Sequence, residues 1–143
     1  MQRHFNVFGQ PVELLVTSAQ TGGSFALGRQ ICGPGTGPPP HAHTSEDEVF
    51  SIVSGRFEFF SDGAWTEIPH SGIVFAPRGQ VHTFRNCGDT PGTIQFISTG
   101  SRFDEFLVGL SKFSIPQDIQ AVVDYSAPYG ISYPTLPPPS DSV

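Results

Sequence analysis

The sequence predicts an all-β fold, a closed barrel or jelly roll, followed by a C-terminal helical segment. Thirteen Phe, 16 Gly and 14 Pro in 143 residues suit short strands that are cut by frequent turns. Short apolar stretches recur at close, regular spacing with turn residues at each break, and closing such strands into a barrel removes exposed sheet edges. At 101–113 the apolar spacing becomes helical.

The predicted strands follow one another over about residues 11–98, which we interpret as the barrel. The first two are PVELLVT and GGSFALGRQIC, and in the second Phe25, Leu27 and Ile31 share one face. A hairpin pair is predicted in DEVFSIVSG and RFEFFSDGAWTEI, with turns at Ser54-Gly55 and at 61–63. The series ends with GIVFAP, VHTFRN and GTIQFIS.

The remaining part of the chain changes character, although its 143 residues are interpreted as one domain. A helical segment is predicted over about 101–123, with Ser101 as N-cap and a second short helix at 116–123. Its first helix has four apolar residues at helical spacing: Phe103, Phe106, Leu107 and Leu110. The proline content after Tyr125 argues against a core element, so 124–143 is expected to be an arm, disordered at its end.

Charge and hydropathy exclude several classes of partner. The chain has 13 acidic and 7 basic residues, a net charge of −6, whereas nucleic-acid binding requires a basic surface. Lys112 is the only lysine, so there is no polybasic membrane patch. No apolar run approaches the roughly 18 residues of a spanning helix, and no basic-then-apolar signal pattern opens the chain. We expect a cytoplasmic protein without nucleic-acid or membrane partners.

The two cysteines, Cys32 and Cys87, are interpreted as free thiols that pack as small hydrophobic residues. A bridge between them is the alternative, and a reducing cytosol disfavours it.

Candidate metal ligands are concentrated in GTGPPPHAHTSEDEVFSIVSG, residues 35–55. On a strand, His41 and His43 point to the same side, about 6.6 Å apart. A turn in the TSED segment would bring Glu48 onto a neighbouring strand that faces the same cavity. His82 begins a later strand directly after the turn in PRGQ. Three imidazoles and one carboxylate suit Fe, Mn, Co, Ni, Zn or Cu(II), and do not suit Ca or Mg.

Other residues of the same types have simpler interpretations. A His-x-His pair alone also arises by chance, and Glu48 taken alone could be an ordinary surface carboxylate. We interpret His4 and His70 as ordinary surface or core residues. Glu46 and Asp47 are expected to be solvated turn acids. The joint spacing of both motifs is what favours a metal site.

At these residues the sequence resembles the cupin superfamily. Both motifs of that family are matched, apart from a Ser71 where Gly is usual, at Gly35, His41, His43, Glu48 and Gly55 and then at Pro77, Gly79, His82 and Asn86. Within the superfamily the chain looks most like small single-domain bacterial cupins similar to quercetin dioxygenase. This resemblance implies that His41, His43, Glu48 and His82 bind one divalent transition metal, with Glu48 also the candidate acid/base.

Strand alternation predicts which side chains surround such a metal. Phe50 shares a face with Glu48, and Phe84 and Asn86 share a face with His82. Phe50 and Phe84 are therefore the candidates for contact with a substrate, and an aromatic-lined cavity suits a flat or aromatic molecule. The barrel core is predicted to include Ile52, Phe57 and Phe59.

The predicted function is that of a metal-dependent, dioxygenase-like oxidoreductase acting on an aromatic or enolisable small molecule. Two alternatives stay open. One is a metal-dependent isomerase or lyase, and the other is a non-catalytic cupin that binds a small molecule. A homodimer is also expected, through the N-terminal strands and the apolar face of 101–113.

Overall fold

A computed structural model describes residues 1–140. In this part of the chain, two helices, α1 (Phe103–Leu110) and α2 (Ile119–Ser126), follow the main series of strands. The strands are β1 (His4–Val7), β2 (Gln10–Val16), β3 (Phe25–Cys32), β4 (Ala42–His43), β5 (Glu48–Ser54), β6 (Phe57–Ser61), β7 (Ala64–Glu67), β8 (Ile73–Ala76), β9 (His82–Asn86), β10 (Gly92–Thr99) and β11 (Ile131–Ser132). No helix in the described residues is both long and apolar enough to cross a bilayer.

The strands form two facing antiparallel sheets and a small accessory pair. The larger sheet has the order β1-β2-β3-β10-β5-β8, the smaller one has the order β7-β6-β9, and β11 pairs with β4. Aromatic rings fill the space between the sheets, with Phe50 of β5 centred 5.8 Å from Phe59 and 5.4 Å from Phe84. The predicted all-β jelly-roll barrel with a C-terminal helical segment is confirmed.

Each predicted strand forms, but β1 was not predicted. Its four residues, HFNV, are too short to show a clear alternation. β1 is held by pairing with β2 across a tight turn in which Phe8 and Gly9 have φ of 52° and 80°. These two positive φ angles are typical of the two-residue turns that match strand twist.

The shared face of Phe25, Leu27 and Ile31 proves to be the outer face of the larger sheet, because β3 buries the alternate residues. One of those alternate residues is Gly28. A Cβ on Gly28 would lie 2.5 Å from Cζ of Phe96 and 2.9 Å from the Glu13 carbonyl oxygen. Glycine here therefore leaves room for the Phe96 ring to pack against the main chain of β3.

The apolar face predicted for 101–113 exists, and all four of its residues are buried in α1. Ser101 is not the N-cap. Arg102 occupies that position without a side-chain cap, and the start of α1 is fixed instead by the buried carboxylate of Asp104. This carboxylate accepts hydrogen bonds from Ser18 N–H at 2.8 Å and Ser18 Oγ at 2.9 Å. Since the apolar face of α1 is covered by its own barrel, it does not offer the dimer surface expected from sequence.

The C-terminal region differs most from expectation. The second helix runs from Ile119 to Ser126 rather than over 116–123. The prediction that no core element follows Tyr125 is wrong, because Ile131 and Tyr133 are only 4% and 8% exposed. The prolines flank this short stretch without interrupting it, and β11 pairs with the β4 strand that carries His43. The end of the predicted arm, residues 141–143, lies outside the described residues.

Both cysteines in the described chain are free thiols, as expected. Cys32 is fully buried, and burial raises its pKa to about 12. Cys87 is only partly buried.

Candidate metal centre

The two motifs are joined to each other by main-chain hydrogen bonds before any side chain is considered. His41 N–H donates to the His82 carbonyl at 3.1 Å, and His82 N–H donates to the His41 carbonyl at 2.9 Å. Gly79 N–H, in the turn before β9, donates to the His43 carbonyl at 2.7 Å. Glu48 opens β5, where it pairs with Ala76 and Ser98. These contacts direct the four side chains to one end of the barrel.

The four predicted ligands come together there. One donor atom from each of His41, His43, Glu48 and His82 lies within 4.8 Å of the others. Glu48 Oε1 is 2.9 Å from His43 Nε2 and 3.1 Å from His82 Nε2. His43, Glu48 and His82 are at most 2% exposed. The structure thus supplies three nitrogen donors and one carboxylate at distances that one ion can bridge.

Each histidine is oriented through its other ring nitrogen. His41 Nδ1 lies 2.8 Å from the Pro39 carbonyl, and His82 Nδ1 lies 3.1 Å from the Gln80 carbonyl. These contacts place a proton on Nδ1 and leave Nε2 as the inward-facing donor atom. The proline run contributes directly, because the carbonyl of Pro38, next to Pro39, accepts a 2.6 Å hydrogen bond from Thr83 of β9.

His43 is oriented by a carboxylate that sequence reasoning misjudged. Glu46 is only 4% exposed, and its Oε1 lies 3.0 Å from His43 Nδ1. It is therefore not a solvated turn acid. The His43 imidazole supplies the hydrogen-bond partner that water would supply at the surface. The His-x-x-Glu spacing was the available signal, since three residues across a turn bring the two groups together. Asp47 does lie at the surface, where it binds Arg78.

Charge interactions within the centre shift three pKa values. Burial would raise the pKa of Glu48, but attraction to His43 and His82, together with a hydrogen bond from His82, holds it well below its usual range. Burial would lower the pKa of His43, yet the charges of Glu48 and Glu46 raise it to about 9. Burial and repulsion from His43 and His82 lower the pKa of His41 to about 3. The carboxylate is thus ionised and His41 is neutral, as metal ligation requires.

The donors fit a divalent transition metal. In the described part of the chain, the buried His43 Nε2 makes no hydrogen bond, although Glu48 Oε1 lies 2.9 Å away. A buried nitrogen without a partner is costly unless another group completes it. The buried Glu48, held ionised, also places negative charge among the three imidazoles, where a cation would lie.

The centre opens onto a small cavity of about 60 Å³. Phe50 and Phe84 both line it, where sequence placed them. Asn86 does not, because its side chain donates to the carbonyls of Cys32 and Thr90. The apolar walls that sequence reasoning did not assign come from the N-terminal hairpin, β10, α1 and the C-terminal region: Val7, Phe8, Phe96, Phe103, Phe106, Leu107, Leu110, Ile131 and Tyr133.

Gln30 is a polar side chain on the cavity wall. It lies on the inward face of β3, is 9% exposed, and lines the cavity together with Phe96. The larger apolar residues of β3 lie on its other face, so the sequence pattern favoured that face as the buried one. The only signal for Gln30 was its position on the alternate face, between Gly28 and Cys32.

Fold and site together define a jelly-roll barrel with a candidate metal centre at one end. Residues 28–98 match the Cupin_2 family, described as a cupin domain. The match covers just under half of the chain, and the jelly-roll barrel observed here agrees with it. The matched span contains all four candidate ligands, whereas α1, α2 and β11 lie beyond it.

Individual relatives are distant. An uncharacterized protein of Aquifex aeolicus (strain VF5) is 30% identical over 54 residues, which are 38% of this chain and 45% of that protein. KdgF from Halomonas sp. is similar in structure, with a TM-score of 0.60 at 16% identity over 68% of this chain and 85% of that one. A predicted oxalate decarboxylase from Thermotoga maritima gives a TM-score of 0.58 at 24% identity over 69% and 90%. At these identities the two structures show a shared fold.

Proposed function

We propose that the protein is a metal-dependent oxidoreductase of dioxygenase-like type, acting on a small aromatic or enolisable molecule. One observation carries the proposal: the buried three-histidine, one-glutamate cluster faces a cavity walled by aromatic and aliphatic side chains. None of the described residues that line this cavity is Arg or Lys, so it lacks the groups that bind phosphates or sugar acids. The sequence resemblance to quercetin-dioxygenase-like cupins supports the same choice.

The cavity also limits the size of the substrate. Its volume of about 60 Å³ is far below the roughly 300–1,000 Å³ of ordinary ligand pockets. A flavonol, with its three rings, does not fit a cavity of this volume. A molecule with one ring, or a short enolisable compound, is therefore the better substrate class.

The chain's own residues have distinct roles in this proposal. A divalent ion, held by His41, His43, Glu48 and His82, would supply Lewis acidity and a template for the reactants. Glu48 accepts the proton of the substrate hydroxyl at a carboxylate oxygen, since it is the ionised acid that lines the cavity.

Other side chains position the substrate and keep it dry. Phe50 and Phe84 flank the ring, and the Gln30 amide hydrogen-bonds its polar edge. The apolar face of α1 excludes water from the centre.

Two measurements, made one after the other, test the proposal. Elemental analysis of protein made without a metal-affinity tag identifies the ion. An oxygen electrode then follows a panel of catechols, small enols and 1,3-diketones with the loaded protein and with the His82→Ala variant as control. We expect oxygen uptake that is stoichiometric with substrate loss and absent from the variant. Loaded protein that consumes no oxygen with any member of the panel contradicts the proposal.

A metal-dependent isomerase or lyase is the second candidate. The position of Glu48 favours it, because this ionised carboxylate lies between two imidazoles and can accept and return a substrate proton. Isomerisation and elimination need such a proton transfer and no oxidant. Turnover of the same panel under strict anaerobiosis separates the two, because only the second candidate continues without oxygen. A protein that binds panel members but converts none is instead a non-catalytic binding cupin.

A further inference from the structure

We propose that Ser98 is a positioning residue for Glu48, whose carboxylate it receives when Glu48 turns out of the ligand position. This role rests on the proposed function, in which Glu48 is both metal ligand and base. Ser98 lies on β10 and is fully buried, and its Oγ has no hydrogen-bond partner within residues 1–140. A buried hydroxyl without a partner is unfavourable, and native folds contain few of them.

Strand pairing places Ser98 directly beside Glu48. Ser98 pairs with Glu48 of β5 on one side and with Ala26 of β3 on the other. All three side chains lie on the buried face of their strands. Directly opposed residues in an antiparallel sheet have Cβ atoms about 4.5–5.5 Å apart. Rotation about the Glu48 side-chain bonds can therefore bring its carboxylate to the Ser98 hydroxyl.

Two main-chain contacts fix the spacing of these strands next to the pair. Asp47 N–H donates to Thr99 Oγ1 at 2.9 Å, and Thr99 N–H donates to the Asp47 carbonyl at 3.0 Å. Asp47 precedes Glu48 and Thr99 follows Ser98 in the chain. Because the two main chains are held together here, side-chain rotation decides whether Glu48 meets Ser98.

Small side chains give Glu48 room to rotate. Its inward-facing neighbours at this level of the sheet are Ala26, Ser98 and Ala76, each at most 1% exposed. Of these three side chains, only Ser98 can form a hydrogen bond. In the structure the carboxylate faces the imidazoles instead, with Oε1 3.1 Å from His82 Nε2. The Ser98 hydroxyl is thus unpaired in the ligand position of Glu48, and it gains a charged partner when the carboxylate turns towards it.

A ligand that also acts as a base must give way to a substrate oxygen, and it then needs another partner. Without Ser98, the displaced carboxylate would be buried beside Ala26 and Ala76, which is costly for a charged group. The cavity lining includes Glu48 but, among the described residues, not Ser98. Ser98 therefore acts through Glu48 and does not itself contact the substrate.

Two probes separate this role from simple support of the metal site. S98A should bind zinc, measured by competition with a chromophoric chelator, at least as tightly as wild type does. A serine that held Glu48 in the ligand position would instead cost about 10–100-fold in zinc affinity when removed. The zinc-loaded variant should bind 4-nitrocatechol, which presents hydroxyl oxygens to the ion, about 10-fold more weakly. The displaced carboxylate has then lost a charge-assisted hydrogen bond.

Two further variants serve as controls. S98T keeps the hydroxyl and should restore most of the affinity for 4-nitrocatechol. S51A removes a half-buried serine from the opposite face of β5 and should change neither affinity. The melting temperature of S98A should not fall, because the hydroxyl that is removed has no partner in the fold.

A crystal structure of the zinc-loaded protein with 4-nitrocatechol tests the geometry. We expect a Glu48 carboxylate oxygen about 2.5–2.7 Å from Ser98 Oγ. A carboxylate that stays among the imidazoles, with Ser98 unpaired or bound to water, overturns the proposal. So does S98A that loses zinc affinity or binds 4-nitrocatechol as wild type does, and so does a wild type that binds neither probe.

Failure of this proposal is distinct from failure of the proposed function. Neither probe requires turnover, so a loaded protein that consumes no oxygen can still show the expected loss of 4-nitrocatechol affinity in S98A. Oxygen uptake by the wild type, together with an unchanged 4-nitrocatechol affinity in S98A, would remove the role of Ser98 and leave the proposed function in place.

Discussion

Glu48 has two roles in the proposed chemistry, metal ligand and base, and one substitution can separate them. Glu48→Gln keeps the side-chain size and an oxygen donor but removes the basic carboxylate. We expect this variant to retain much of its metal, while turnover falls about 10²-fold or more, the usual contribution of a positioned base. Elemental analysis together with steady-state rates on an identified substrate measures both effects.

The matched variant is His43→Gln, which should lose metal and turnover together because it removes a buried nitrogen donor. A Glu48→Gln protein that holds its metal and turns over like wild type would show that Glu48 is a ligand only. The base proposed here would then be wrong.

The histidine ligands give a second prediction. His41→Ala and His82→Ala should each reduce bound metal to well under half of the wild-type content, because one of four donors is lost from a site with a fixed geometry. Metal content per chain is the measurement. His4→Ala, at an exposed position far from the cluster, is the control. Full occupancy in both variants would exclude this cluster as the binding site.

Metal binding should also release a proton. The pKa of His43 is raised to about 9, so its imidazole is protonated at pH 7 and must lose that proton to bind an ion. His41, whose pKa is lowered to about 3, is already neutral. Affinity should therefore rise with pH through the neutral range and level off above about pH 9.

Titration calorimetry at pH 7 in buffers of different ionisation enthalpy measures the released proton. Glu46→Gln is the matched variant, because it removes one of the carboxylates that raise the His43 pKa. Its affinity should level off at lower pH. A wild-type heat of binding that is independent of the buffer would contradict the assignment of this proton.

At the scale of elements, Asp104 ties α1 to the loop after β2. Asp104→Ala leaves the Ser18 N–H without its 2.8 Å partner in a buried place. We expect a loss of about 1–3 kcal/mol in the free energy of unfolding, measured by urea denaturation. Glu105→Ala, an exposed position on the same helix, should change it by less than about 0.5 kcal/mol. Equal effects from both variants would mean that Asp104 does not anchor the helix.

The elements that sequence predicted well share a strong local pattern. The first residues of β5 alternate between buried and half-buried positions, and Phe84 lies two residues after His82 on β9, so sequence alone placed Phe50 and Phe84 on the ligand side. The helical apolar face of α1 was equally clear. The motif spacing was specific enough to select the four residues whose donor atoms come together.

The features that the sequence did not predict, β11 and the burial of Glu46, depend on contacts between parts of the chain that are distant in sequence. β11 has two residues, and it exists because Ile131 pairs with His43, 88 positions away. Gly130 provides the left-handed turn before it, at φ 75°. Proline content alone suggested an arm, since it cannot reveal that this stretch covers a cavity. Burial of Glu46 likewise follows from the position of an imidazole that only the folded chain provides.

Segments before and after the central strands both contribute to the cavity wall. The N-terminal hairpin contributes Val7 and Phe8 to the cavity, and the C-terminal region contributes α1 and Tyr133. The span that matches the cupin domain supplies the ligands, whereas much of the wall lies outside that span. Under the proposed function, segments outside the matched span would therefore supply much of the surface that selects the substrate.

The metal should stabilise the whole fold, because its ligands come from three strands, β4, β5 and β9, and the adjoining His41. Free ion at 100 times its dissociation constant stabilises a protein by about 2.7 kcal/mol when only the folded state binds. For a domain of about 150 residues this corresponds to a rise in Tm of roughly 5–11 °C. Thermal melts of loaded protein, before and after removal of the ion with a chelator, measure the difference.

The His41→Ala variant separates this effect from a general effect of the chelator, because its melting temperature should not respond to metal or chelator. Ion binding at an exposed acidic patch would stabilise wild type and variant alike. The contrary result is a wild-type protein that carries one ion per chain and yet melts at the same temperature after the ion is removed. That result would contradict the claim that the ion stabilises the fold by linking the two motifs. The His41–His82 main-chain pair would then hold those motifs together unaided.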